Sequence, residues 1–152
     1  MSAVAIRPAA VHEQPALEEL QRRASLANKG DREAVLAHPD AIEVPLDQIV
    51  SGDVFALEFD GALAGFAAVL SHPAGHAQLD ALFVEPHLQR RGFGRSLVDH
   101  CAQIARTRGS TSLHVIGNPQ AQEFYRSCGF VSLGTAETSF GKGLLMRRWL
   151  LP

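Results

Sequence analysis

The chain is predicted to form a single α/β domain over residues 1–152, with a mixed sheet of about six to seven strands flanked by helices. Three observations predict this class. A chain of 152 residues with 46% hydrophobic and 20% charged residues can bury one core. Segments with helical periodicity alternate with apolar segments of strand length, and no repeat or low-complexity linker interrupts them. Strands dominate the middle of the chain, and two strand-to-helix crossovers follow.

The N-terminal part is predicted to be a short strand followed by a long helix. The apolar stretch 3–7 precedes Pro8 and fits a first strand. The stretch 14–30 has Pro15 near its start and Gly30 as the expected stop, both favoured at those places. Its apolar residues share one face of a helix: Leu17, Leu20, Ala24 and Ala27.

Two shorter helical segments are expected before the strands. Residues 31–38 fit a helix with Asp31 as its N-cap, ended by Pro39. Residues 45–52 fit one further helical turn. A hairpin then follows, because two apolar stretches flank the pair Asp60-Gly61, which suits the positive φ angles of a type I′ turn.

The second half is predicted to continue as strand, helix, strand, helix and a terminal hairpin. Strand 77–84 leads through a turn to helix 95–108, which Gly109 ends. That helix has an apolar stripe formed by Leu97, Val98, Cys101, Ile104 and Ala105. Strand 110–116 precedes a helix that Asn118 caps and Gly129 ends. Strands over 130–140 and 144–151, joined by the loop 141–143, complete the sheet.

The turn between strand 77–84 and the next helix concentrates glycine and arginine. In EPHLQRRGFGRSL, residues 85–97, three arginines surround Gly92 and Gly94 where a helix begins. A helix N-terminus presents unpaired N–H groups and the positive end of the helix dipole. Glycine lets the backbone approach a ligand closely. The turn is therefore a candidate site for a polyanion such as a pyrophosphate.

Other kinds of site fit this sequence poorly. The turn has neither the Gly-Lys-Ser/Thr of a P-loop nor the third glycine of a dinucleotide fingerprint. Cys101 and Cys128 do not have metal-ligand spacing, and no histidine and carboxylate cluster indicates a metal. Nucleic-acid binding is not expected, since the arginines are few and localised. No apolar run is long enough to span a bilayer and the cysteines are few, so we expect a protein of the reducing cytoplasm.

Two motifs resemble those of one enzyme superfamily. Residues 89–94, QRRGFG, match the Gln/Arg-x-x-Gly-x-Gly/Ala motif of the GCN5-related N-acetyltransferase (GNAT) superfamily. Residues 118–130, NPQAQEFYRSCGF, resemble its second motif, Asn-x-x-Ala-x-x-Phe-Tyr-x-x-x-Gly-Phe. The resemblance implies the acyl-CoA N-acyltransferase fold and transfer of an acetyl group from acetyl-CoA directly to a primary amine, with no metal.

The resemblance also implies where acetyl-CoA binds. It would lie in a V-shaped opening between strands 77–84 and 110–116, with its pantetheine arm along the first strand and its pyrophosphate on the amides of 90–95. Asn118 has two compatible roles, as a helix cap and as a partner for pantetheine amides. The implied cofactor-binding residues are Leu82, Phe83, Val84, Gln89, Arg90, Arg91, Gly92, Phe93, Gly94, Arg95, Ser96, Asn118 and Phe124.

The resemblance suggests catalytic roles for a few residues, with alternatives. The backbone N–H near Val84 is a candidate oxyanion donor, and Tyr125 matches the tyrosine that acts as general acid towards sulfur. Tyr125 alone could equally be a packed aromatic. Asp80 is the candidate base or a structural aspartate, with His72 and His76 as the next candidate bases.

The acceptor amine belongs to a small molecule or a peptide. Arg22 and Arg23 could bind an acceptor carboxylate. A run of acids over 31–60 could instead favour a cationic amine or be a solvated surface; these acids are Asp31, Glu33, Asp40, Glu43, Asp47, Asp53, Glu58 and Asp60.

Three functional classes fit the sequence. An N-acetyltransferase is favoured over a non-catalytic acyl-CoA-binding sensor, because a sensor would not require Tyr125 or Asp80. An interaction module with a purely structural glycine turn is disfavoured by the second motif. Dimers are common in the superfamily that the chain resembles, so a homodimer is among the expected assemblies.

Overall fold

The fold is a seven-stranded mixed sheet with helices. The computed structural model describes residues 3–138 and 141–151, apart from the side chain of Lys29. The strands follow the order β1-β2-β3-β4-β5-β7-β6; β4 and β5 pair in parallel, and β5 and β7 pair antiparallel. The predicted mixed sheet is therefore confirmed. Its strands are β1 (Val4–Pro8), β2 (Val54–Phe59), β3 (Ala62–Ser71), β4 (Ala77–Val84), β5 (Ser112–Gly117), β6 (Val131–Thr138) and β7 (Gly141–Trp149).

Within the described residues, five α-helices and several short 3₁₀ turns connect the strands. The helices are α1 (Gln14–Ala27), α2 (Lys29–Ala37), α3 (Leu46–Val50), α4 (Phe93–Thr107) and α5 (Gln122–Ser127). The residues group into two compact units. The first contains Met1–Ala68 and Ala81–Leu97, and the second contains Val69–Asp80 and Val98–Pro152.

The first unit buries α1 and α3 against the β2–β3 hairpin. Leu17 and Leu20 of α1 are fully buried, as predicted, while Ser25 is the third buried residue in place of Ala27. Asp60 (φ 52°) and Gly61 (φ 82°) both have positive φ, as a type I′ turn requires. The core of this unit consists of Ala9, Leu17, Leu20, Val44, Ile49, Val54, Ala56, Phe66 and Ala68.

The boundary between α1 and α2 differs from the expectation. Asn28 has an extended backbone, and its side-chain oxygen accepts a hydrogen bond from the Gly30 amide at 2.9 Å. Asn28 is therefore the N-cap of α2, and the predicted stop at Gly30 and N-cap at Asp31 are wrong. Asparagine caps a helix well because it supplies an acceptor for a free amide of the first turn, which a glycine cannot do.

The second unit contains the pairing of β4, β5, β7 and β6. β5 pairs with β7 along its whole length, from Ser112 with Trp149 to Gly117 with Leu144. The predicted loop 141–143 is wrong, since these residues belong to β7. Residues 139 and 140, which were expected in the preceding strand, lie outside the described residues. The buried face of α4 in this unit consists of Val98, Cys101, Ala102 and Ala105.

Candidate active site

The turn that precedes α4 has an unusual backbone. Arg90 (φ 66°) and Gly92 (φ 83°) both lie in the left-handed region, which is costly for a residue with a side chain. α4 begins at Phe93, two residues before the predicted start, so Gly94 and Arg95 belong to its first turn. The first N–H groups of a 15-residue helix consequently follow directly on the turn.

Side-chain contacts fix this turn. The Gln89 side chain donates a hydrogen bond to the Val84 carbonyl at 3.2 Å, and the Ser96 hydroxyl donates to the Gly92 carbonyl at 3.0 Å. The ring of Phe93 is buried and lies 5.1 Å from that of Phe59. The side chains of three predicted cofactor-binding residues, Gln89, Phe93 and Ser96, are thus engaged within the protein.

The turn has a positive electrostatic environment. Arg90, Arg91 and Arg95 are exposed. Glu85, the carboxylate that precedes the turn, accepts hydrogen bonds from Nε and Nη2 of Arg23 at 2.9 and 2.8 Å, and this pairing raises the pKa of Arg23. Because Glu85 is already neutralised, it does little to oppose the three arginines. The same contact occupies Arg23, which was expected to be available for an acceptor carboxylate.

The C-terminal part of β4 approaches β3 closely. Leu82 and Phe83 are half-buried and Val84 is buried. A Cβ at Gly65 would lie 2.9 Å from the Phe83 carbonyl oxygen, so only glycine fits this place on β3. β4 pairs with β5 from Ala77 to Leu79.

Tyr125 is held in a tight aromatic contact within the second unit. It is 8% exposed, and its ring meets those of Phe124 and Phe130 edge-on at 5.1 and 5.5 Å. A Cβ at Gly117, the last residue of β5, would lie 2.8 Å from the Tyr125 ring. The end of β5 and the ring are therefore in direct contact, and this packing fixes the position of the Tyr125 ring.

Asn118 acts as a cap. Its side-chain oxygen accepts a hydrogen bond from the Gln120 amide at 2.9 Å, which fixes the 3₁₀ turn Pro119–Ala121. The prediction that Asn118 is an N-cap with Pro119 at the first helical position is therefore confirmed. The first helical turn is of the 3₁₀ type, and α5 follows it from Gln122.

Asp80 and three histidines lie in the second unit. Asp80 is exposed on β4. His72 and His76, at the turn before β4, stack with ring centroids 4.3 Å apart, and His76 stacks on His114 of β5 at 4.2 Å. His72 and His76, the next candidate bases, thus form one stack with His114.

Sequence reasoning missed Gly65 and Gly117, whose lack of a side chain allows Phe83 and Tyr125 to take their places. The signal was present, because a glycine in the interior or at the end of an apolar strand often marks a close approach. The contacting residue could not be named, since it depends on which strands and helices lie side by side.

Comparison with known proteins identifies the family. Residues 16–130 match the model of the Acetyltransferase (GNAT) family, which is most of the chain, and the chain belongs to this family. A search of curated proteins finds no match.

Solved structures share the fold at low sequence identity. A GCN5-related N-acetyltransferase from Rhodopseudomonas palustris superimposes with a TM-score of 0.78 at 24% identity, over 99% of this chain and 98% of that one. The PaiA N-acetyltransferase from Thermoplasma acidophilum, solved with coenzyme A, gives a TM-score of 0.76 at 20% identity, over 97% and 99% of the two chains. A ribosomal-protein-alanine N-acetyltransferase from Escherichia coli gives 0.70 at 22%, over 100% and 96%.

Family membership makes the protein an acyltransferase that uses acetyl-CoA as its co-substrate. In the part of the chain that the structure describes, no group of three or more histidine, cysteine, aspartate or glutamate side chains is arranged to hold a metal ion. None of the described helices is long and apolar enough to cross a membrane.

Proposed function

We propose that the protein transfers an acetyl group from acetyl-CoA directly to a primary amine of a small molecule or peptide in the cytoplasm. The observation that carries this proposal is the turn before α4. Its two left-handed residues, Arg90 and Gly92, lie at a helix N-terminus beside exposed arginines. A Cβ placed on Gly92 would meet nothing within 4 Å, so the space next to this backbone is open to a ligand.

The residues of the turn fit a pyrophosphate. Backbone N–H groups at a helix start donate hydrogen bonds to an anion without any loss of internal pairing. Arg90, Arg91 and Arg95 add positive charge, and Glu85 is neutralised by Arg23. Acetyl-CoA supplies the activated acetyl group when bound, and residues 82–84 of β4 are the proposed contacts for its pantetheine arm.

Proton transfer is assigned to Tyr125 and Asp80. The Tyr125 hydroxyl is the proposed donor of the proton that the leaving thiolate needs, and the packing of its ring against Gly117 fixes where that hydroxyl can lie. The exposed Asp80 carboxylate is the proposed acceptor of the amine proton, directly or through water. An Asp80→Asn variant whose pH–rate profile matches the unsubstituted protein would remove Asp80 from the mechanism and favour His72 or His76.

The acids of segment 31–60 give little support for a cationic acceptor. Glu58 is paired with Arg7 at 2.8 Å, and Asp60 accepts a hydrogen bond from the Ala3 amide at 2.7 Å. Glu33, Asp40 and Glu43 are exposed, as solvated surface acids are. Segment 31–60 therefore does not specify the acceptor beyond a primary amine.

The experiment compares two glycine variants by calorimetry with coenzyme A. Gly92→Glu adds bulk and negative charge at the proposed pyrophosphate position, and binding should weaken by at least about 100-fold. Gly109→Glu is the matched control, since Gly109 ends the same helix with φ 90° and is equally open. Equal affinity of the two folded variants would refute the assignment of the turn. Thiol release with a panel of amines then tests the transfer itself, and light scattering checks the expected homodimer.

A further inference from the structure

A polar row crosses three neighbouring strands of the second unit. Gln78 of β4 pairs with His114 of β5, which pairs with Arg147 of β7. Residues paired in this way project to the same face of a sheet. Asp80 lies two residues after Gln78 on β4 and therefore projects to that face as well. The proposed base and the row thus share one surface.

One donor atom of the Arg147 side chain has no hydrogen-bond partner within the described part of the chain. Its Nε is buried and has no hydrogen-bond partner among the described residues. Its guanidinium lies over the ring of Trp149, 4.1 Å from the ring centroid, which holds the group in place. The neighbouring Arg148, on the opposite face, pairs with Asp99 at 2.8 Å. Because Nε is buried, an acceptor from outside the chain can meet only the terminal nitrogens of this half-buried guanidinium.

The surroundings of His114 are positive. Its Nε2 lies 3.1 Å from the Ser112 hydroxyl, and the His76 ring stacks on its other side. Burial lowers the pKa of His114, and the charges of His76, Arg147 and His72 lower it further. Among the described residues, no carboxylate raises the pKa of His114. A bound anion would relieve this repulsion.

We propose that Arg147 and His114 bind a carboxylate of the acceptor, whose amine meets Asp80. This rests on the proposed transfer to an amine. Neighbouring strands are about 5 Å apart and two residues along a strand are about 7 Å apart, so the Cα atoms of Asp80 and His114 are about 8 Å apart and those of Asp80 and Arg147 about 12 Å apart. The side chains of Asp80 and His114 narrow the first of these gaps to the length of a small molecule. The acceptor is thus a small amine that also carries a carboxylate, as free amino acids do. Arg22 and Arg23 are not needed for this role, and Arg23 is already paired with Glu85.

The first test measures thiol release with matched acceptors. A panel of amino acids is compared with the corresponding amino acid amides, which replace the carboxylate by a neutral group, at a pH high enough for both amines to be free. The unsubstituted protein should prefer the acids by about 10- to 100-fold in kcat/KM, and Arg147→Gln should lose that preference. Arg148→Gln is the matched control and should keep it. Equal rates for acids and amides, or equal loss in both variants, would overturn the proposal while leaving the transfer reaction in place.

The second test does not depend on turnover. The imidazole nitrogens of ¹⁵N-histidine-labelled protein are followed by NMR during titration with succinate or with neutral succinamide. Succinate should shift the His114 signals in a saturable way, and succinamide should not. Arg147→Lys should retain a weaker response, and Arg147→Gln should reduce the affinity by about 10-fold or more. Lack of a saturable shift, or identical responses to both compounds, would overturn the site whatever the outcome of the amine panel.

Discussion

Two regions of the first unit use arginine in opposite ways. At the end of β1, Arg7 donates to both oxygens of Glu13 at 2.8 Å and to Glu58 at 2.8 Å. In the turn before α4, Arg90, Arg91 and Arg95 are exposed. The first region links β1, β2 and the segment before α1, whereas the second presents its charge to solvent.

The difference separates stability from binding. An arginine whose fork is filled by carboxylates holds chain segments together and has no donor left for a ligand. Exposed arginines beside a helix N-terminus contribute little to stability, but they favour an incoming anion. Charge changes in the first region should therefore alter unfolding, and changes in the turn should alter coenzyme A affinity.

The largest expected effect comes from a residue that belongs to neither region. Tyr125→Phe keeps the ring that packs on Gly117 and Phe130 and removes only the hydroxyl. Turnover should fall by about 100-fold, the low end for a lost general acid, with coenzyme A affinity and thermal unfolding nearly unchanged. Single-turnover kinetics together with calorimetry measure both quantities. Normal turnover would show that another group or water protonates the thiolate.

Arg7→Gln should break the first region. Glu13 and Glu58 would keep their partly buried carboxylates without a cation, which costs about 2 kcal/mol of unfolding free energy. Urea denaturation measures the change. Coenzyme A affinity should stay within about twofold of normal, because the Arg7 side chain donates to Glu13 and Glu58 rather than to the residues of the turn. A large loss of affinity would mean that the two regions are coupled.

The converse change is Arg91→Glu combined with Arg95→Glu. Reversing two exposed charges beside the proposed pyrophosphate should weaken coenzyme A binding by about 10-fold and leave urea denaturation almost unchanged. The loss should shrink as salt is added, because exposed charges are screened. Calorimetry at two salt concentrations checks this, with Arg126→Glu, on the exposed face of α5, as the control. Salt-independent loss would contradict the electrostatic explanation.

Acid should weaken the contact between Arg7 and Glu13 and so lower the free energy of unfolding. The Arg7 contact lowers the pKa of Glu13 to about 2 from its usual 4.5. A depressed folded-state pKa gives stability that is present above the unfolded value, and this stability is lost as the pH falls from about 4.5 towards 2. After allowance for solvent screening, about 1 kcal/mol is involved. Glu13→Gln should remove that part of the pH dependence, whereas Glu123→Gln, an exposed i,i+3 partner of Arg126, should not.

Features built from consecutive residues could be predicted from the sequence. The Asp60-Gly61 hairpin and the glycine turn before α4 depend on local backbone requirements, and both are found where they were expected. The cap of α2 was misplaced at Asp31 because asparagine and aspartate both cap helices well, and the hydrogen bond from the Gly30 amide to the Asn28 side chain decided between them.

Features built across strands could not be predicted. The row of Gln78, His114 and Arg147 exists only because the register of three strands brings these residues together. The contact of Gly117 with Tyr125 depends in the same way on how α5 returns to β5. Each residue is visible in the sequence, but no local pattern connects one with another.

The smallest expected effect separates backbone from charge within the turn itself. Arg90 has φ 66°, a conformation that glycine adopts without steric cost and alanine does not. Arg90→Gly should therefore be more stable than Arg90→Ala by about 0.5 to 1 kcal/mol, the relief of strain less the greater chain entropy of glycine. Both variants lose the same exposed charge, so both should weaken coenzyme A binding by the same factor, about twofold. Parallel urea denaturation and calorimetry of the two variants measure this. Suppose instead that the alanine variant were as stable as the glycine variant but bound coenzyme A much more weakly. Residue 90 of the free protein would then not be held in the left-handed conformation, and coenzyme A binding would have to impose it.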